Sequence, residues 1–347
     1  MSLTYLVVAD VHFGNLGVWP GEVVAGLNNR CRQTGAVLSR VRAAAGVPKR
    51  EAALIVAGDL FDTSKPTPQV VRAVGEILRD NFVEAHLIMG NHDQHSDEAR
   101  DNALAVLELI PTVRVYEEPT TLGQFLFLPY GYDFRDVTAV DPGVKVAVAH
   151  HGIRDDSMAA WTRDKGAPVD DVAAWLQATG MSHYLAGDWH PRRSWWNGRI
   201  QQIGALSPKD WSNPGTDAYG TVLAVSPHHE VMPGTMVLGP AVRRHVVPGP
   251  RFVVSKDPAD EFTSPHADWW YIRTTYPAHV RAFPTNSTVE PALEAKSVEK
   301  AVRAVADHLG DTAELDEYVY DYVDRDSAVP AQLKEQVAQA CCKLLQR

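Results

Sequence analysis

Short apolar runs rich in β-branched residues recur along the first part of the chain, and each stops abruptly at polar residues: Tyr5–Ala9, Ala52–Ala57, His86–Met89, Gln124–Leu128, Val144–Ala149 and His183–Ala186. Runs of this length and composition predict strands buried on both faces. Between them, apolar positions recur at helical spacing over Gln33–Ala45, Pro68–Asp80, Glu98–Leu109 and Val169–Thr179. Strand and helix in alternation predict an α/β fold with sheet buried between helices. The polar clusters follow the strands, at the carboxyl ends where open α/β sheets take their ligands.

From Ile200 the pattern turns to strand-like pieces among Gly and Pro, such as Thr221–Val225, Val237, Val246 and Phe252–Val254. Three regions are expected: a large α/β domain over 1–231, a small α+β domain over 232–286 that begins among Pro233, Gly234, Gly239 and Pro240, and a helical segment over 287–347. In the last, Val298–Leu309 and Ala331–Leu345 have amphipathic spacing. Leu315, Tyr318, Val319 and Tyr322 form an apolar stripe that would suit either a partner's groove or packing on its own domain.

Composition narrows the class. The chain has 347 residues, 45% of them hydrophobic and 22% charged, which is ordinary globular usage. No run reaches the roughly 18 apolar residues of a membrane span, and Met1–Ala9 enters a strand with no signal-peptide pattern, so a cytoplasmic protein without membrane contact is expected. Cys31, Cys341 and Cys342 lack zinc-type spacing and a disulfide framework. The formal net charge of -10 argues against coating nucleic acid by bulk electrostatics. It leaves room for a nucleic-acid enzyme, because bound divalent cations would reverse the charge where a phosphodiester sits.

Five clusters carry the candidate chemistry: Asp10-Val11-His12, Gly58-Asp59-Leu60-Phe61-Asp62, Gly90-Asn91-His92-Asp93, His150-His151-Gly152 and Gly187-Asp188-Trp189-His190. Any one alone would be an ordinary turn. Together they supply the carboxylate, amide-oxygen and imidazole donors that hard and borderline cations take. His150 and His151 compete for the same role. After His190, Arg192, Arg193, Trp195 and Arg199 interleave cations with tryptophan, as single-strand binding surfaces do. The same segment would equally make a hairpin with buried tryptophans and solvated arginines. Arg243, Arg244 and Arg251 form a second basic patch, for which a solvated face is the simpler account.

The order of the five clusters resembles that of the calcineurin-like metallophosphoesterases. Gly58–Thr63 running into Pro66 and Pro68, the His150-x-Gly152 form, and Gly204–Ser207 ahead of Tyr219-Gly220 are most similar to the SbcD-type DNA-repair nucleases. The resemblance implies a sandwich of two central β-sheets flanked by helices, with 232–286 as a small α+β capping domain and the C-terminal helices appended. It implies that Asp10, His12 and His190 hold one metal and Asn91, His150 and Asp188 the other, that Asp59 bridges them, and that a shared hydroxide is the nucleophile. His92 would be the general acid, and Asp62 the carboxylate that orients it by a hydrogen bond. Asp93 is expected to fix a loop. Most of the family has histidine at Asp188; a charged oxygen there favours harder cations, so two Mn²⁺ ions are expected, with Mg²⁺ or Zn²⁺ as alternatives.

By the same resemblance the substrate is DNA, in repair or recombination, and the partners are an SbcC-type coiled-coil ATPase and a second copy of the chain in a homodimer. A small-molecule or cyclic-nucleotide phosphodiesterase and a non-catalytic scaffold subunit are the competing functions.

Overall fold

In the computed structural model the described residues are 3–15, 22–96, 101–158, 165–207, 220–226 and 240–247, together with the backbone of a few short strands beyond residue 230. The strands run in chain order as β1 (Thr4–Val8), β2 (Ala52–Ala57), β3 (Glu84–Ile88), β4 (Val113–Tyr116), β5 (Thr120–Leu122), β6 (Phe125–Leu128), β7 (Val146–Ala149), β8 (Ile153–Arg154), β9 (Ala167–Pro168) and β10 (His183–Ala186). They continue as β11 (Arg193–Trp195), β12 (Ile200–Gln202), β13 (Thr221–Ser226), β14 (Val231–Met232), β15 (Thr235–Met236), β16 (Ala241–Val246), β17 (Phe252–Ser255), β18 (Trp269–Thr274) and β19 (Ser287–Pro291). The helices are α1 (Asn29–Ala44), α2 (Pro68–Asn81) and α3 (Val169–Thr179).

One sheet has the order β16-β13-β1-β2-β3-β4 and the other β11-β12-β10-β7-β6-β5. Within the first, β1 to β4 are parallel and β13 and β16 antiparallel. Within the second, β6, β7, β10 and β12 are parallel. Strand alternation sorts the side chains into three layers. Val7, Ile55, Ile88 and Leu223 from the first sheet pack on Phe127, Val148 and Leu185 from the second. The outward set Leu6, Leu54, Val56 and Leu87 packs under Val37, Leu38 and Val41 of α1 and Val70, Val74 and Leu78 of α2. On the far side, Leu126, Ala147 and Tyr184 meet Val172, Trp175 and Leu176 of α3. The fold is therefore the expected α/β sandwich of two sheets between helices. Strands covered on both faces are also why their sequences are continuous apolar runs.

Local chemistry sets the helix limits. Asn28 caps α1 by accepting from Cys31 N, Thr67 caps α2 ahead of Pro68, and Gly180 ends α3 at φ 71°. The helix expected over Glu98–Leu109 is not what the described part of that stretch forms. Asn102 pairs with Gln94 in a bridge, and its side-chain oxygen accepts from Leu104 N and Ala105 N, so a turn and the 3₁₀ helix Ala105–Leu109 follow. Strands β4 and β5 were not anticipated, whereas β11 and β12 form the hairpin that was one of the two readings of the segment after His190.

The chain divides into two compact units, one of residues 1–254, 262–271 and 284–288 and the other of 255–261, 272–283 and 289–347. The helices expected at Val298–Leu309 and Ala331–Leu345, and the stripe from Leu315 to Tyr322, lie outside the described residues. Strands β17, β18 and β19 form a three-stranded sheet. No described helix is long and apolar enough to cross a membrane.

Leu54, fully buried in the middle of the first sheet, is a direct probe of this core. Leu54→Ala should cost about 2–5 kcal/mol of stability, read as a lowered denaturant midpoint at unchanged slope.

Candidate metal centre

Loops leaving the carboxyl ends of β1, β2, β3, β7 and β10 meet at one edge of the sandwich. Main-chain bonds tie them together: Asp10 N and His12 N donate to Gly58 O and Asp59 O, and Phe13 N to Leu60 O. Asp10, His12, Asp59 and Asp188 all have left-handed backbone, with φ of 48°, 46°, 52° and 82°. Non-glycine residues in that region cost about 1–3 kcal/mol each, so the surrounding bonds must hold them there. Gly58, at φ 83°, leaves room for the His150 ring, which a side chain at 58 would overlap.

Asp59 stands between two groups. Its Oδ2 lies 3.7 Å from His12 Nε2, and its Oδ1 lies 3.5 Å from His150 Nε2. On the first side, His12 Nε2 and His190 Nε2 are 3.0 Å apart, and a carboxylate oxygen of Asp10 completes the group. Asp10 Oδ2 is buried without a hydrogen-bond partner among the described residues, while its Oδ1 accepts from Asp188 N at 3.0 Å. On the second side, His150 donates from Nδ1 to Ala57 O at 2.8 Å, which fixes the ring with Nε2 3.0 Å from Asn91 Oδ1. The Asp188 carboxylate accepts from Gly152 N–H.

The electrostatics are those of a donor set that wants cations. Burial pushes the Asp10 carboxyl well above the usual carboxylate range, and Asp59 and Asp188 push it further while His150 opposes. Burial likewise raises Asp188, with Asp59 adding to the rise against His150. For Asp59 burial also acts upward, but the charge and hydrogen bond of His150, then His12 and His92, hold it below its ordinary value. Burial acts to lower His150, yet Asp59, Asp10 and Asp188 carry it up to about 10. Carboxylates crowded this closely are stabilised when divalent cations take their charge. Oxygen and imidazole donors in these positions fit two such ions, which Asp59, between the two groups, would help to hold.

The other expected residues fall out as follows. His92 is partly buried; its N–H donates to Asp59 Oδ1 at 2.9 Å and its ring stands 4.9 Å from that of His12. The main-chain carbonyl of residue 62 lies 3.1 Å from His92 Nδ1, and the Asp62 carboxylate shares a cluster with the His12 and His92 rings. Its carboxylate lies 3.5 Å from His12 Nδ1 and 3.2 Å from Arg30. Asp93 accepts from Phe61 N at 2.9 Å and Gly90 N at 3.0 Å, which joins two ligand loops; burial and then Asp59 push it up to about 7. His151 points away from the cluster, bonded to Tyr184 Oη at 2.7 Å and stacked on Phe134. Trp195 donates to Asp155 at 2.6 Å and packs against the α3 layer, and Arg193 lies 3.8 Å from Asp155 and 3.3 Å from Ser157. Arg199 corrects the expected substrate set. It donates to Ser182 O and Met181 O, ahead of β10 and so at the opposite end of that strand from Asp188.

Two residues were missed. Arg30 is buried on α1 and donates to His12 O at 2.9 Å, Gly14 O at 3.4 Å and Asp62. Its signal was a charge on the buried stripe Arg30, Thr34, Val37, Leu38 and Val41. Gln202 donates to Ala186 O and Gly187 O and accepts from Ile153 N, clamping the loops that carry His150 and Asp188.

The calcineurin-like phosphoesterase family model matches residues 3–196, which span every one of these ligands. The chain belongs to that family. Members bind two divalent metals, and the chain is accordingly a metal-dependent phosphoester hydrolase. No curated protein matches it significantly. Among solved structures it is similar to a protein serine/threonine phosphatase from Saccharomyces cerevisiae with similarity to human phosphatase PP5, at 11% identity, 72% of this chain, 82% of that one and TM-score 0.38. It is also similar to Vacuolar Protein Sorting 29 from Cryptosporidium parvum (10% identity, 71% and 98% covered, TM-score 0.32) and to the nuclease MPE of Pseudomonas putida (19% identity, 64% and 84% covered, TM-score 0.29). TM-scores this low carry no argument about substrate.

Arg30 ties down the turn that carries His12. Arg30→Leu strands the Asp62 carboxylate and should cost about 3–5 kcal/mol of stability. It should also weaken binding of added Mn²⁺ in a calorimetric titration; unchanged Mn²⁺ affinity would reduce Arg30 to a residue of the fold.

Proposed function

We propose that the chain hydrolyses phosphodiester bonds of DNA with two divalent cations, Mn²⁺ by preference, held as one by Asp10, His12 and His190 and the other by Asn91, His150 and Asp188, with Asp59 shared. The observation that carries the reading is the shape of the donor set. Asp10, His12, Asp59 and His150 are buried, whereas Asn91 is exposed and His92, Asp188 and His190 are partly exposed, so the cluster opens outward. Nearby, a cavity of about 390 Å³ is lined by Asp62, Thr63 and Lys65, and another of about 260 Å³ by Tyr130, Tyr132 and His150. A solvent-facing donor set supports a polymer passing over the metals better than an enclosed small molecule. The SbcD-like motif forms at Gly58–Thr63 and His150–Gly152 support DNA in particular.

Bound there, the cations would acidify a water molecule and neutralise charge gathering on the phosphoryl oxygens. The chain's own contribution is positioning and one proton. With Nδ1–H held by the carbonyl of residue 62, the His92 ring is oriented for Nε2 to deliver a proton to the departing oxygen. Asp188, a carboxylate where most of the family has histidine, favours the harder cation and lowers the net positive charge of the loaded centre.

Mn²⁺-dependent release of nucleotides from labelled single- and double-stranded DNA, run beside bis-nitrophenyl phosphate, tests the substrate. Turnover of the ester alone would point to a small-molecule diesterase, the reading that the net charge of -10 favours. In the same assays His92→Ala should keep Mn²⁺ and DNA binding and lose about 10² to 10⁴ in rate. Loss of metal instead would make His92 a ligand.

A further inference from the structure

Two arginines that are far apart in the sequence come together on the rim of the centre. The ends of β1, β12 and β13 are stitched side by side: Ala205 N donates to His190 O at 2.9 Å, Leu206 N to Ala9 O at 3.0 Å, and Gly220 N to Ala205 O at 3.2 Å. Val247 N closes the series by donating to Gly220 O at 2.7 Å. Arg192 stands two residues past His190 beside this seam, and Arg244 projects from β16 with its Nε 3.5 Å from Thr221 Oγ1. Arg192 is partly buried, yet its Nε has no hydrogen-bond partner among the described residues. No described carboxylate forms an ion pair with it. The charge of Arg244 is felt at Arg192, which puts the two cations on the same stretch of this rim.

Like charges drawn together beside a phosphoesterase centre, with acidic side chains kept away from one of them, form an anion site by their chemistry. A planar guanidinium offers paired donors to a phosphate, and two of them can share its oxygens. We propose that Arg192 and Arg244 form a phosphate-binding site for a backbone phosphate of the DNA strand other than the one that is cleaved. This inference rests on DNA being the substrate. It joins the loop after His190 to the edge strand β16 in one contact, and it gives an acidic protein a local hold on a polyanion.

The test scans a single neutral methylphosphonate along a short labelled strand, with wild type, Arg244→Ala, Arg192→Ala and the double variant, all with Mn²⁺. One non-scissile position should raise the KM of the wild type about tenfold or more. Arg244→Ala should show the same loss on unmodified DNA, little further loss at that position, and a salt-dependence slope shallower by about 1. Arg192→Ala should map to the same phosphate, and the double variant should be less than additive. DNA cleavage with fully additive losses, or an unchanged KM and slope in Arg244→Ala, overturns the site and leaves the substrate reading standing. Failure of the wild type to cleave DNA at all overturns both.

Discussion

Asp59 is the constraint around which the rest of the molecule is arranged. Its two oxygens face two different histidines, its neighbours include the carboxylates of Asp10 and Asp188, and almost none of it reaches water. A buried carboxylate among carboxylates is stable only if fixed positive charge, or bound cations, lie on both sides. The sandwich meets that demand by delivering His12 and His190 to one side and His150 to the other from separate strands of two sheets. His150 is fixed in that place by a bond made elsewhere, from Nδ1 to Ala57 O.

The backbone carries the cost of this convergence. Asp10, His12, Asp59 and Asp188 sit in left-handed turns immediately past their strands, where the chain must swing donors inward without lengthening the loops. Arg30 under His12, Asp93 between two loops, and Gln202 between two more are buried polar residues whose bonds go almost entirely to the main chain of those turns. None of them touches the two histidine-carboxylate groups as a ligand. They keep strained turns in place, and removing one leaves its partners buried and unpaired, so the centre and the core are one cooperative structure.

Much of this was legible in the sequence, for a physical reason. Strands covered on both faces must be apolar throughout, so β1, β2, β7 and β10 announce themselves, and the donors that follow them are conspicuous. Shorter strands such as β4, with buried Val113 and Tyr116 but exposed Arg114, carry a weaker pattern. The stretch before Leu109 kept helical spacing but lost to one side chain, because Asn102 satisfies the backbone N–H groups of a turn. Position along a strand was also invisible: Arg199 is close to His190 in sequence and at the wrong end of the sheet. Arg192 and Arg244 show the reverse, residues from separate patches joined only by strand order.

The most direct measurement is the number and coupling of bound metal ions. Metal-stripped protein titrated with Mn²⁺ should take up two ions per chain, with an electron paramagnetic resonance spectrum showing the two spins exchange-coupled through a shared ligand. Asp59→Asn should abolish that coupling. A single ion per chain, or two ions with independent spectra in the unaltered protein, would contradict a centre built on Asp59.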